Sequence, residues 1–171
     1  MSHQRGLIAT FAGITLWGCG ASPPSAPVID DAGLIPAAEE ARLNRELEDY
    51  FDQTGRAIVV ATTTSLGGQS IESYATSMFN RLGIGDRRTN QGLLLLVAPH
   101  ERTARIEVGR GLESTVTSSK AAKIMQQTIT PRLREGDFVR GIEEGVDALV
   151  VTTECGLSDG VPALCPGKVG T

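Results

Sequence analysis

Six consecutive apolar residues, Leu93 to Ala98, constrain this chain more than any other feature. Nothing polar interrupts them, so a strand formed here has both faces covered by other layers. After a short polar turn the pattern changes to alternation: Ala104, Ile106 and Val108 share one face, and Arg105 and Glu107 the other. The two runs predict a buried strand, a hairpin and a half-exposed returning strand. Antiparallel pairing sets the start of the first strand beside the end of the second. Asp86 and Asn90 are thereby gathered with Gly109, Arg110, Gly111 and Glu113 at one end of a sheet.

The rest of the chain supplies what must cover that strand. Val28 to Ile35 is a short extended lead-in carrying Asp30 and Asp31. Pro36 suits a first helical position, Glu39 and Glu40 suit the positive helix start, and Gly55 supplies a stop. Between them Leu43, Leu47, Tyr50 and Phe51 fall on one helical face. Ala57 to Thr63 reads as a second buried strand. Ser70 can cap the next helix, whose apolar set is Ile71, Tyr74, Ala75, Met78, Phe79 and Leu82, with Gly83 ending it. This strand, helix and leucine strand form a βαβ unit, for which parallel pairing and a right-handed crossover are expected. Beyond the hairpin, Thr117 opens a third helix that Pro131 breaks or kinks. Asp137 can cap a fourth, buried through Phe138, Ile142, Val146, Leu149 and Val150. Four amphipathic helices around strands apolar on both sides predict an α/β fold, a three-layer α/β/α sandwich on a small mixed sheet.

A chain of 171 residues accommodates one such domain with short appendages. Arg5 precedes an apolar stretch, Leu7 to Trp17, with the length of a signal-peptide core rather than a membrane span. Leu16, Gly18 and Cys19 match a bacterial lipobox, and Trp17 departs from it; the other reading is a plain signal peptide with Cys19 incidental. Residues 1–18 are thus expected to be a signal peptide, 19–27 a small, proline-rich tether, 28–153 the domain and 154–171 a tail. Lipid on Cys19 would hold the domain at a membrane. In an exported chain Cys155 and Cys165, with nine residues between them, are expected to pair. Such a loop would contribute about 2 to 3 kcal/mol.

Composition and motifs exclude several functions. Sixteen basic residues against twenty acidic ones, with no basic stripe, give nucleic acid no electrostatic support. The Gly109 to Gly111 segment ends a returning strand instead of opening a helix, so it lacks the context of a dinucleotide loop. His3 leaves with the signal and His100 falls in an exposed turn, so neither marks a metal cluster or a general base. Glu143, Glu144, Arg87 and Arg88 suit solvated surface. Asp86, Asn90 and Glu113 offer the hard oxygen ligands that calcium or magnesium takes; the competing reading makes them loop and helix caps. Asp30 and Asp31 form a second candidate metal set. They belong near Thr62, Thr63 and Thr64, at the opposite end of the sheet from Asn90 and Glu113, so the two sets are separate.

The order of short motifs resembles the TPM domain family, exported α/β/α domains of bacteria, the thylakoid lumen and an animal receptor modulator. The matching residues are Val28, Asp30, Ala32, Gly33 and Leu34; Thr54 and Gly55; Ile71 to Ala75; Gly83 and Gly85; Asn90 and Gly92; Arg105 to Glu113; and Pro131 with Gly136, Asp137 and Phe138. The resemblance implies calcium binding, a low acid phosphatase activity in a lumenal relative, and a role in maintaining or modulating membrane complexes. Many bacterial relatives add a transmembrane segment and a glycine-rich tail; neither is read in these 171 residues, so any membrane attachment is expected to fall to Cys19. The expectation is a non-enzymatic envelope accessory domain, membrane-anchored in the periplasm, binding a membrane protein partner and a divalent cation. A metal-assisted acid phosphatase is the alternative, disfavoured because no nucleophile, acid histidine or phosphate-binding arginine cluster beyond Arg110 is evident.

Overall fold

The structure is a computed structural model, and it describes residues 26–155, 157, 158, 161 and 162. The signal segment, Cys19, most of the tether and Cys165 lie outside these residues, and with them the lipid and disulfide expectations. The elements run β1 (Val28–Asp30), α1 (Ala37–Thr54), β2 (Ala57–Thr62), α2 (Ile71–Leu82), β3 (Gly92–Ala98) and β4 (Thr103–Val108). A 3-10 turn (Arg110–Leu112), α3 (Ser118–Ile124), a π turn (Met125–Ile129), α4 (Thr130–Glu135) and α5 (Phe138–Cys155) follow. Two short strands, β5 (Leu157–Ser158) and β6 (Val161–Pro162), form a separate antiparallel pair.

The main sheet is ordered β1-β2-β3-β4, with β1, β2 and β3 parallel and β4 antiparallel to β3. Every residue of β2 and β3 is buried. Their side chains alternate between two cores, as a period of two requires. Ile58, Val60, Leu93, Leu95 and Val97 pack with α1, α3 and α5. Val59, Ala61, Leu94, Leu96 and Ala98 pack with Ala75, Met78 and Phe79 of α2. The expected α/β/α sandwich is present, with four helices once α3, the π turn and α4 are taken as one interrupted rod.

The sequence reading treated Val28 to Ile35 as a lead-in, whereas its first residues pair with β2 as a fourth strand. Its connection to β2 is unusual. Ala57 and Thr63 donate their N–H groups toward β3, to the Gln91 and Val97 carbonyls at 3.0 Å each. The odd-numbered side chains of β2 face α2. For L-residues the N–H direction fixes the side-chain face, which makes β2-α2-β3 right-handed, as expected. The β1-α1-β2 connection steps the same way across the sheet with its helix on the other face, so it is left-handed. β1 has only three residues, leaving the strand twist behind the usual preference little length on which to act.

Helix ends follow the local chemistry. Ser70 and Thr117 accept the N–H groups of Ser73 and Lys120, and Gly55 and Gly83 adopt the left-handed conformation that ends α1 and α2. Pro36 stands immediately before the helix, not at its first residue. Pro131 does not break its rod. The preceding turn widens, so that Thr130 donates to Met125 O five residues back. This makes room for a ring that would collide with a regular helical turn. Glu144 of α5 accepts Arg132 at 2.9 Å and Arg140 at 2.7 Å, tying α4 to α5, and Arg42 joins Glu143 to α1.

Candidate functional site

At the open end of the hairpin, Asp86 organises the turn before β3. Its Oδ1 accepts the N–H of Arg88 at 2.6 Å and of Thr89 at 3.3 Å, and its carbonyl accepts the N–H of Asn90 at 2.6 Å. The Arg88 N–H is the first cause holding the Asp86 carboxyl below its ordinary range. Asn90 adopts φ 50°, which its short polar side chain tolerates, and its carbonyl accepts the Gly111 N–H at 3.1 Å. Gly109 and Gly111 are dictated by close approach: an added Cβ would overlap the carbonyls of Asn90 and Thr89 respectively. The two hairpin flanks are therefore in contact. Glu113 lies two residues further on, exposed, on the wall of a cleft beside β4. No side-chain hydrogen bond or ion pair joins it to Asp86 or Asn90 among the described residues.

The second acidic pair sits at the other end of the sheet, as the topology requires. Asp30 Oδ1 accepts Leu34 N–H at 3.1 Å and the Thr62 hydroxyl at 2.5 Å, and Oδ2 accepts Ile35 N–H at 2.8 Å. Both of its oxygens serve the turn into α1, while Asp31 is exposed. Among the described residues no three His, Cys, Asp or Glu side chains gather as a metal cage. A hard cation at the hairpin end would draw on Asp86 Oδ2, Asn90 Oδ1, the Glu113 carboxylate and water.

His100 is exposed in the β3-β4 turn. Its neighbour Glu101 reaches across to the β2-α2 loop and accepts the Leu66 N–H at 2.9 Å. That bond is the first cause holding its carboxyl below the ordinary range.

Sequence reasoning missed a long concave feature. Two clefts, about 570 and 640 Å³, run along β4 and meet at Ala104 and Met125. The first is walled by Met125, Leu133 and Phe138 with Arg102 and Arg134 at its rim; the second continues past Ile106 and Val108 to Glu113. Its only signal in the sequence was the half-exposed alternation of β4, because the far wall comes from residues some twenty to thirty positions away.

The sequence model of the TPM domain family matches residues 28–152. The chain belongs to the TPM domain family. Comparison with curated proteins gave no match. Among solved structures, this TPM domain is similar to the N-terminal domain of a protein from P. gingivalis, with 29% identity and a TM-score of 0.69. That match covers 75% of this chain and 82% of the other. The N-terminal domain of cg2496 protein from Corynebacterium glutamicum has 16% identity and a TM-score of 0.60, covering 79% and 84% of the two chains. The BA42 protein of the psychrophilic bacterium Bizionia argentinensis has 19% identity and a TM-score of 0.61, covering 70% and 81%. The last two likenesses are of fold alone. Several motif residues of this TPM domain, Asn90, Gly92, Gly109 and Gly111, build the hairpin's open end. Among the described residues no helix is long and apolar enough to cross a membrane.

Proposed function

We propose that this TPM domain is a non-enzymatic accessory module of the bacterial envelope, held at the membrane through Cys19, that binds a membrane protein partner. The observation supporting this reading is the long cleft pair beside β4, whose lining contains no histidine, cysteine or aspartate. Such a surface, with an apolar wall of Met125, Leu133 and Phe138 in one cleft and the polar side chains of Arg105, Glu107, Thr117 and Ser118 in the other, suits recognition of an extended partner segment. A divalent cation, calcium foremost, binds at Asp86, Asn90 and Glu113 in the same reading, where it would fix the 86–91 turn against the end of β4.

The test is affinity capture from solubilised envelope membranes with the full chain, joined to calcium titration and phosphatase assays with and without metal. The expected result is one membrane protein recovered reproducibly, calcium-dependent shifts at Asn90, and no turnover. Metal-dependent phosphate release lost in Glu113→Ala would replace this reading with the metal-assisted phosphatase. Absence of any calcium-induced change in stability or spectra would remove the cation. Labelled palmitate failing to enter through Cys19 would remove the anchor.

A further inference from the structure

The sheet ends at β4, and the hydrogen-bond register states which of its backbone groups are left over. Gly109 donates to Gly92 O at 2.8 Å, and antiparallel pairing alternates, so Glu107, Arg105 and Thr103 are the residues bonded to β3. The N–H and C=O groups of Ala104, Ile106 and Val108 therefore point away from the sheet. No described residue answers them. Edges of this kind are ordinarily blunted by a covering element, an inward charge or proline. Here the edge instead borders the two joined clefts, and the side chains of the same three residues contribute to the apolar core beneath α3 and the π turn.

One end of this edge is purely cationic. At its hairpin end Arg102 and Arg134 stand exposed with no ion pair among the described residues, and no carboxylate lines that cleft. Arg110 and Glu113, both exposed, stand at the other end. Arg102 also occupies φ 53°, a conformation that glycine or asparagine fills at lower cost. A bulky cation held there is unfavourable for the turn and calls for a reason outside it.

We propose that β4 receives an extended segment of a partner protein by antiparallel strand addition, with the segment's carboxylate-bearing end held by Arg102 and Arg134. This deepens the accessory reading above and rests on it. Antiparallel addition places the C-terminal side of the incoming segment at the arginine pair, which complements its carboxylate, and its N-terminal side toward Arg110 and Glu113. Backbone bonds to Ala104, Ile106 and Val108 supply affinity, and alternate apolar side chains enter the cleft beside Met125, Leu133 and Phe138. A second copy of this chain fits worse, because symmetric antiparallel pairing about Ile106 sets Arg102 against Arg110 of the other copy. The carboxylate is either a chain terminus or an Asp or Glu side chain, since both present the same planar acceptor to guanidinium.

The test is an NMR titration of the full chain with an octapeptide of alternating valine and threonine that starts with lysine and ends in leucine and a free carboxylate. Further arms are the same peptide amidated, amidated with aspartate in place of the last residue, and N-methylated on alternate amides. The expected result is perturbation of the Ala104, Ile106 and Val108 amides at up to millimolar peptide and at least tenfold weaker binding on N-methylation. Ala104→Pro, which removes an outward N–H without touching the β3 ladder, is expected to weaken binding equally. Arg102→Gly should preserve or raise the melting temperature while weakening binding at least fivefold, which separates recognition from folding. Binding retained by the amidated aspartate peptide, or by the free-carboxylate peptide alone, identifies the carboxylate source, and either supports the proposal. No perturbation at the three amides, or binding unchanged by Ala104→Pro in a folded protein, overturns it. Envelope capture distinguishes the two levels: a partner retained equally by Ala104→Pro sinks strand addition alone, and no partner for the wild-type chain sinks the accessory reading.

Discussion

Thr62 donates its hydroxyl to Asp30 at 2.5 Å, joining the last residue of β2 to the last residue of β1. The same Thr62 oxygen accepts the Ala32 N–H at 3.0 Å, so one side-chain pair holds the turn that starts the left-handed connection. Asp30→Ala removes a charged acceptor from two backbone N–H groups and a hydroxyl. The expected loss is about 2 to 3 kcal/mol of stability, measured by urea denaturation. A loss indistinguishable from zero would mean that this turn is held by the α1 packing alone.

Glu101 makes the hairpin turn and the β2-α2 loop depend on pH. Its carboxyl is held below the ordinary value of 4.5, first by the Leu66 N–H and also by the Ser65 hydroxyl. The bond favours the ionised form, so its contribution is complete above the unfolded value and lost as pH falls through the lower folded value. Glu101→Gln is expected to lower stability at pH 7 and to flatten the decline below pH 4.5. Denaturation series at pH 3 to 7 check this, and parallel wild-type and variant curves would refute it.

Gly145 lets α5 lie close to the π turn. An added Cβ would sit 2.7 Å from Ile129 Cγ1, and Ile129 is fully buried, so its side chain must shift within a packed core. Gly145→Ala gains helix propensity of about 1 kcal/mol but overpacks this contact, for an expected net destabilisation of about 1 to 2 kcal/mol. Combining it with Ile129→Val should recover part of the loss, and a double-mutant cycle measures the coupling. Strict additivity would place the strain elsewhere.

Gly111→Ala tests the contact between the hairpin flanks. The new methyl meets the backbone carbonyl of Thr89, which has no rotamer to offer. A loss of about 2 to 3 kcal/mol is expected, with amide shifts concentrated at Thr89, Asn90 and Gln91. Calcium affinity should fall with it if the cation sits at that turn, whereas an unchanged affinity would move the cation away from Asn90.

Much of this architecture can be read from residue order because it rests on local periodicity. Leu93 to Ala98 announces a strand covered on both sides, the 3.6-residue spacing of Leu43, Leu47 and Tyr50 announces a helix, and Ser70, Gly83, Thr117 and Asp137 mark helix ends with their own side chains or lack of them. The hairpin alone brings Asn90 to Gly109 and Gly111, since antiparallel geometry admits no other arrangement. Pairing of β1 with β2 and the hand of the first connection were not legible, because three residues carry no usable period and handedness depends on which face α1 covers. The widened turn before Pro131 was equally hidden: a proline forbids the regular bond but does not say whether the chain stops or loosens. The β4 cleft is a product of distance in sequence, with Arg102 and Arg134 brought to one rim only when α4 docks beside the hairpin. Local patterning thus settled the longer elements, β2, β3, β4, α1, α2 and α5, through steric and hydrogen-bonding rules that act over a few residues. The groove, and the edge groups that no described residue answers, arose only from packing, because an edge exists only once the order of strands has been decided.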